Sequence, residues 1–150
     1  MSIIDSQLEF SDAQDIGQVE ATYLSTNVID LSVAREVSNG QPLYLVVQIE
    51  EAVVGTSSTI EIRLRSDSTA AVHATTSTGH YTSGAIPEAT LVAGYTIVIP
   101  LPTNGLGAVY EQFLGVQYIV GTATTTAGTV NARLTIDPPT TNVHFADATN

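Results

Sequence analysis

The chain has 150 residues, of which 43% are hydrophobic and 13% charged, with a net charge of −11 and no cysteine. That length suits one domain with a real core. Disulfides, a Cys-based zinc site and a thiol nucleophile are excluded. Four arginines and no lysine against fifteen acids argue against nucleic acid and anionic membranes as partners, because phosphate binding needs clustered Lys and Arg. A basic protein partner is compatible. The polar content leans instead on Thr and Ser, and β-branched Thr favours strands. Met1-Ser-Ile-Ile-Asp-Ser has no basic region and no long apolar core, so a secretory signal is not expected and cytosolic assembly is.

In chain order, residues 5–24 are mixed. Residues 10–14 fit a short helical turn with Ser11 or Asp12 as N-cap, or an extended arm lying on a partner. A short strand is predicted around residues 28–31, then a polar connection turning at Asn39-Gly40.

Gln41-Pro-Leu-Tyr-Leu-Val-Val-Gln-Ile-Glu50 is the densest run of strand formers. It is apolar on both faces for most of its length, which reads as a central strand covered on both sides. It falls well short of the roughly 20 apolar residues a membrane helix needs.

Residues 59–66 alternate cleanly, with Ile60, Ile62 and Leu64 on one face and Glu61, Arg63 and Arg65 on the other. Residues 70–76 read as a further strand and 77–85 as a loop. In residues 96–102, Ile97, Ile99 and Leu101 form an inward set, and Pro100 places that strand at an edge or bulge. Residues 110–120 form a strand with Leu114, Val116, Tyr118 and Val120 on one face. Residues 121–128 read as a polar loop. Residues 129–136 alternate again, with Val130, Ala132, Leu134 and Ile136 inside.

The prediction is therefore an all-β, single-domain antiparallel β-sandwich, a jelly roll of about eight strands. Residues 1–24 form an N-terminal arm or short irregular segment, 25–139 the jelly roll, and 140–150 a flexible tail. An immunoglobulin-like sandwich is the nearest competitor, without its Cys…Trp…Cys signature.

Little in the sequence carries chemistry. His73, His80 and His144 read as exposed loop histidines with no metal-ligand spacing around them. Glu50 and Glu51 are adjacent, point to opposite strand faces, and read as a solvated strand end. Asp5, Asp12 and Asp15 lack calcium-loop spacing. No phosphate-binding glycine loop or nucleophile elbow occurs. No catalytic, cofactor-binding or metal residue is assigned, and no enzyme activity is expected. Most tyrosines suit core or interface packing. Arg63 and Arg65 read either as a solvated charge cluster with Glu61 or as an interface cluster.

Phe10-Ser-Asp-Ala-Gln14, Ser25-Thr-Asn-Val-Ile-Asp-Leu31, Gly40-Gln-Pro-Leu-Tyr-Leu-Val-Val-Gln-Ile49, Ile86-Pro-Glu-Ala-Thr-Leu-Val-Ala-Gly-Tyr95 with Pro100-Leu-Pro102, and Tyr118-Ile-Val-Gly-Thr122 through Ala127-Gly-Thr-Val-Asn-Ala132 form an ordered set. Together they resemble the jelly-roll capsid cement proteins of tailed bacteriophages, of the Bordetella-phage type. The similarity covers roughly residues 8 to 137; residues 15–20 and the segment after Pro139 depart from it. The resemblance implies a non-enzymatic decoration protein on the outside of an expanded icosahedral shell, bridging neighbouring capsomers. Its partners would be the major capsid protein and itself, as a dimer first and a trimer second. The expected partner contacts are Leu8, Phe10, Asp12, Asp15, Arg63 and Arg65. A β-sandwich module for carbohydrate or host-surface recognition, and a jelly-roll hydrolase with converging carboxylates or histidines, are the rival expectations.

Overall fold

The computed structural model describes residues 6–34, 37, 40–102 and 109–139. After a 3-10 turn at Ser6–Leu8 come β1 (Glu9–Asp15), β2 (Ala21–Leu24), β3 (Ile29–Asp30), β4 (Tyr44–Gly55), β5 (Thr59–Asp67), β6 (Thr78–Pro87), β7 (Thr96–Pro100), β8 (Phe113–Gly121) and β9 (Thr125–Thr135). A second 3-10 turn, Glu88–Thr90, lies between β6 and β7.

All pairings are antiparallel, in two sheets ordered β1-β9-β4-β7 and β2-β8-β5-β6, with β3 a side branch on β8. Leaving β3 aside, the eight remaining strands pair first with last, second with seventh, third with sixth and fourth with fifth. That nested pairing is a β-hairpin ribbon rolled on itself, the jelly roll, and it packs two four-stranded paths face to face.

The core lies between the sheets. From the first sheet come Leu45, Val47, Ile49, Val130, Ala132 and Leu134; from the second come Ile60, Ile62, Leu64, Leu114, Val116 and Tyr118. β5 keeps strict period-two burial, as alternation requires. β4 is central, between β9 and β7, and Leu45, Val46 and Val47 are all buried. Double-sided cover thus holds for those three residues, after which Gln48 is half-buried and Glu50 exposed. β7, closing on Pro100, is an edge strand.

Several expectations are corrected. Residues 9–24 are neither a helical turn nor an arm: β1 pairs with β9 and β2 with β8. Phe10 and Ser11 are both buried although adjacent, because register shifts flank Ser11 and Ala13 takes φ 46°. Residues 70–76 form a turn, whereas 78–87 form a strand. The loop expected at 121–128 shrinks, since β9 starts at Thr125 and Gly128 lies within it. Ile136 falls past the end of β9 and is exposed. Glu50 and Glu51 are exposed within a bulged stretch of β4 that runs on to Gly55. The tail at 140–150, His144 and the Asn104-Gly turn lie outside the described residues.

Candidate functional site

The outer face of the second sheet brings two of the expected contact residues together. The register sets Arg63 beside Thr82 of β6 and Gln117 of β8, and Arg65 beside Gly79 and Gly115. Alternation turns Ile62 and Leu64 inward, so Glu61, Arg63 and Arg65 all project outward. With Gly79, His80 and Thr82 they line a shallow groove of about 540 Å³.

Inside it, Arg63 Nε donates to Glu61 Oε1 at 2.7 Å, and Thr82 Oγ1 donates to the same oxygen at 2.6 Å. The Arg63 bond first, then Thr82, holds the Glu61 carboxyl below the usual range. Arg65 is bound differently. Its Nε donates to Ser77 Oγ at 2.6 Å, and Nη2 donates to the carbonyl oxygens of Ser77 and Thr75. It has no carboxylate partner among the described residues.

These bonds pin the turn between β5 and β6 back onto the sheet. Asp67 Oδ2 accepts the His73 N–H at 3.0 Å, and Gln117 Nε2 donates to the Val72 carbonyl at 3.0 Å. Val72 is buried over Gly115, where an added Cβ would stand 3.2 Å from its Cγ2 and 3.0 Å from Leu24 Cδ1. The glycine is what lets the turn lie flat. Gln117 Oε1 is left buried with no hydrogen-bond partner.

At one end of the groove His80 is half-buried rather than an exposed loop residue. Its ring stacks on buried Tyr110, with centroids 4.0 Å apart and planes 19° apart. Nε2 shares a 2.7 Å hydrogen bond with Ser66 Oγ, which also accepts the Glu111 N–H at 3.0 Å. Thr78 Oγ1 donates to Glu111 Oε1 at 2.5 Å. Burial lowers the His80 pKa, Glu111 opposes that and Arg65 adds to it. A Ser–His contact beside a glutamate has the parts of a nucleophilic triad, yet Ser66 is wholly buried, so no substrate reaches its Oγ in this arrangement. His73 is exposed, and its Nδ1 accepts the Thr75 and Thr76 N–H groups. No group of three or more His, Asp or Glu suited to a metal occurs among the described residues.

The remaining expected contact residues scatter. Leu8, half-buried, lines a second groove with Asn27–Ser32. Phe10 is 0% exposed inside the sandwich, so it is a core residue and not a partner contact. Asp12 is exposed and borders a pocket with Gln48, Asn131 and Arg133 on the first sheet. Asp15 is exposed and caps its own turn, accepting the Gly17 N–H at 2.7 Å and Gln18 Nε2 at 2.9 Å. Only Arg63 and Arg65 come together. The sequence missed His80, Thr82 and Gly79 as their neighbours. Tyr81 and Thr82, both strand formers, were the available signal, masked by glycines on either side.

Fold and surface define a jelly-roll β-sandwich protein with polar grooves on its outer faces. The chain belongs to the Bbp16 family, whose model matches residues 10–134 and so spans the sandwich from β1 into β9. The family name points to a Bordetella phage protein. No curated protein matches the chain.

Proposed function

We propose that this chain is a structural virion protein that decorates and cements the outer surface of an expanded icosahedral phage capsid. It bridges neighbouring capsomers by binding the major capsid protein, assembles in the host cytoplasm and acts without catalysis or cofactor. Self-association accompanies binding, a dimer before a trimer, and neither nucleic acid nor membrane is a partner. The observation that carries this reading is the family match across the whole sandwich, joined to the ordered motif resemblance to phage cement proteins. The acidic, lysine-free composition is consistent with it.

The mechanism is mass action. A ligand that binds only the expanded lattice stabilises it by RT ln(1 + [L]/Kd) per site, summed over many sites. Each contact can therefore be weak. The rigid sandwich holds grooves and edges in fixed positions across a capsomer boundary.

The test mixes purified protein with expanded capsids that lack it, follows co-sedimentation, and compares capsid survival after heating or osmotic shock. Saturable binding with raised survival is expected. Failure to bind, or binding without any gain in survival, overturns the reading.

A further inference from the structure

β6 ends the second sheet, and among the described residues no strand pairs with its outer side. An open edge offers unpaired N–H and C=O groups, which proteins commonly blunt with short length, proline or charge. The other three edges are blunted so. β7 has five residues and closes on Pro100, and β2 has four. β1 carries exposed Asp12 and Asp15 and is broken by register shifts. β6 also closes on a proline, Pro87, and is bent by two register shifts, but it is ten residues long and carries not one Asp, Glu, Lys or Arg.

Beside this edge lies the groove with Arg63 and Arg65, two of the four arginines on a chain of net charge −11. Arg63 commits Nε to Glu61 and Arg65 commits Nε and Nη2 to the turn. Arg65 Nη1 faces the space over Gly79, where an added Cβ would still stand 4.0 Å away. Arg63 and Arg65 lie two residues apart on one strand face, about 7 Å along it. Alternate side chains of a neighbouring extended segment have that same spacing.

We infer that the groove along β6 is a docking site for an extended acidic segment of another protein, with alternate carboxylates over Arg63 and Arg65. Charge complementarity selects this occupant over a second copy of the strand. β6 carries no carboxylate, so a second copy of it would bring no counter-charge to the arginines of the neighbouring β5. The net charge of −11 disfavours such a segment over most of the remaining surface. The inference rests on the cementing reading only for the source of the segment, the major capsid protein.

The probe is an acetylated, amidated heptapeptide alternating glutamate and valine, with a glutamine-for-glutamate control, titrated into 15N-labelled full chain. Saturable amide shifts confined to 78–87 and the Arg63 and Arg65 side chains are expected. The glutamine peptide, and the variants Arg63→Gln and Gly79→Glu, should bind at least fivefold more weakly. Gly79 lies outside the left-handed region and its site is open, so Gly79→Glu should keep the spectrum of a folded chain. Absent or scattered shifts overturn the inference, as does concentration-dependent broadening of β6 amides in the free protein, which would make a second copy the occupant. If the chain binds expanded capsids but the peptide does not shift β6, this inference fails alone. If the peptide maps to β6 but capsids are not bound, the cementing reading fails and the site stands.

Discussion

Ser11 Oγ and Tyr118 Oη lie 2.9 Å apart, both wholly buried, and join β1 of one sheet to β8 of the other through the core. Ser11 Oγ donates onward to Gln14 Oε1 at 2.7 Å, so the phenol donates to Ser11. Gln14 Oε1 also accepts the Thr26 N–H, and its Nε2 donates to the Leu24 carbonyl. One chain of polar groups thus fixes the first two strands against the sandwich. Burial pushes the Tyr118 phenol far upward, offset in part by Ser11. Ser11→Ala strands that hydroxyl and should cost about 1–3 kcal/mol in urea unfolding. Tyr118→Phe should cost less, and the double variant less than the sum. Strict additivity would show that the two groups do not interact.

Phe10 is a core residue, against its expected place as a partner contact, whereas Asp12 lies on the surface. Phe10→Ala should lower stability by about 3–5 kcal/mol, whereas Asp12→Asn should stay within about 0.5 kcal/mol. Chemical denaturation measures both. Equal, small effects would mean that β1 is not part of the folded unit.

Gly115 lets the β5–β6 turn close over the sheet. Gly115→Val would drive a side chain into Val72 and Leu24, with an overpacking cost of about 1–3 kcal/mol. Amide exchange should quicken over residues 68–77 more than in β4. Unchanged protection there would contradict the packing described.

His80 gives the stability curve a defined slope. Its folded pKa lies below the usual value, about 6.5, through burial first, with Glu111 opposing and Arg65 reinforcing. Below about pH 6.5 the unfolded chain therefore binds the proton better. The stability contribution is complete above that pH and is lost as pH falls through the folded value. Wild type should lose stability as pH falls below about 6.5, and His80→Gln should flatten that part of the curve. Parallel curves for the two proteins would refute the assignment.

Where side chains obey strand periodicity, the sequence was legible. β5 alternates without interruption, and the inward sets Ile60, Ile62, Leu64 and Leu114, Val116, Tyr118, Val120 are all buried, although in β8 Gly115 and Gln117 are buried as well. β1 was not legible, because a bulge buries Phe10 and Ser11 together and hides the period. β6 was not, because an edge strand with two register shifts and two glycines buries no residue completely. The outward pairing of Arg63 with Glu61 followed from β5 alone. The other wall of the groove depended on recognising β6, and His80's stacking on Tyr110 depended on contacts 30 residues apart in sequence.

The most direct test of the cementing role is a cryo-electron microscopy map of expanded capsids to which the purified chain has been added. The account predicts jelly-roll density at regular positions on the outer surface, each copy spanning a boundary between capsomers. Density confined to the interior or to one capsomer, or none above the shell, would contradict it.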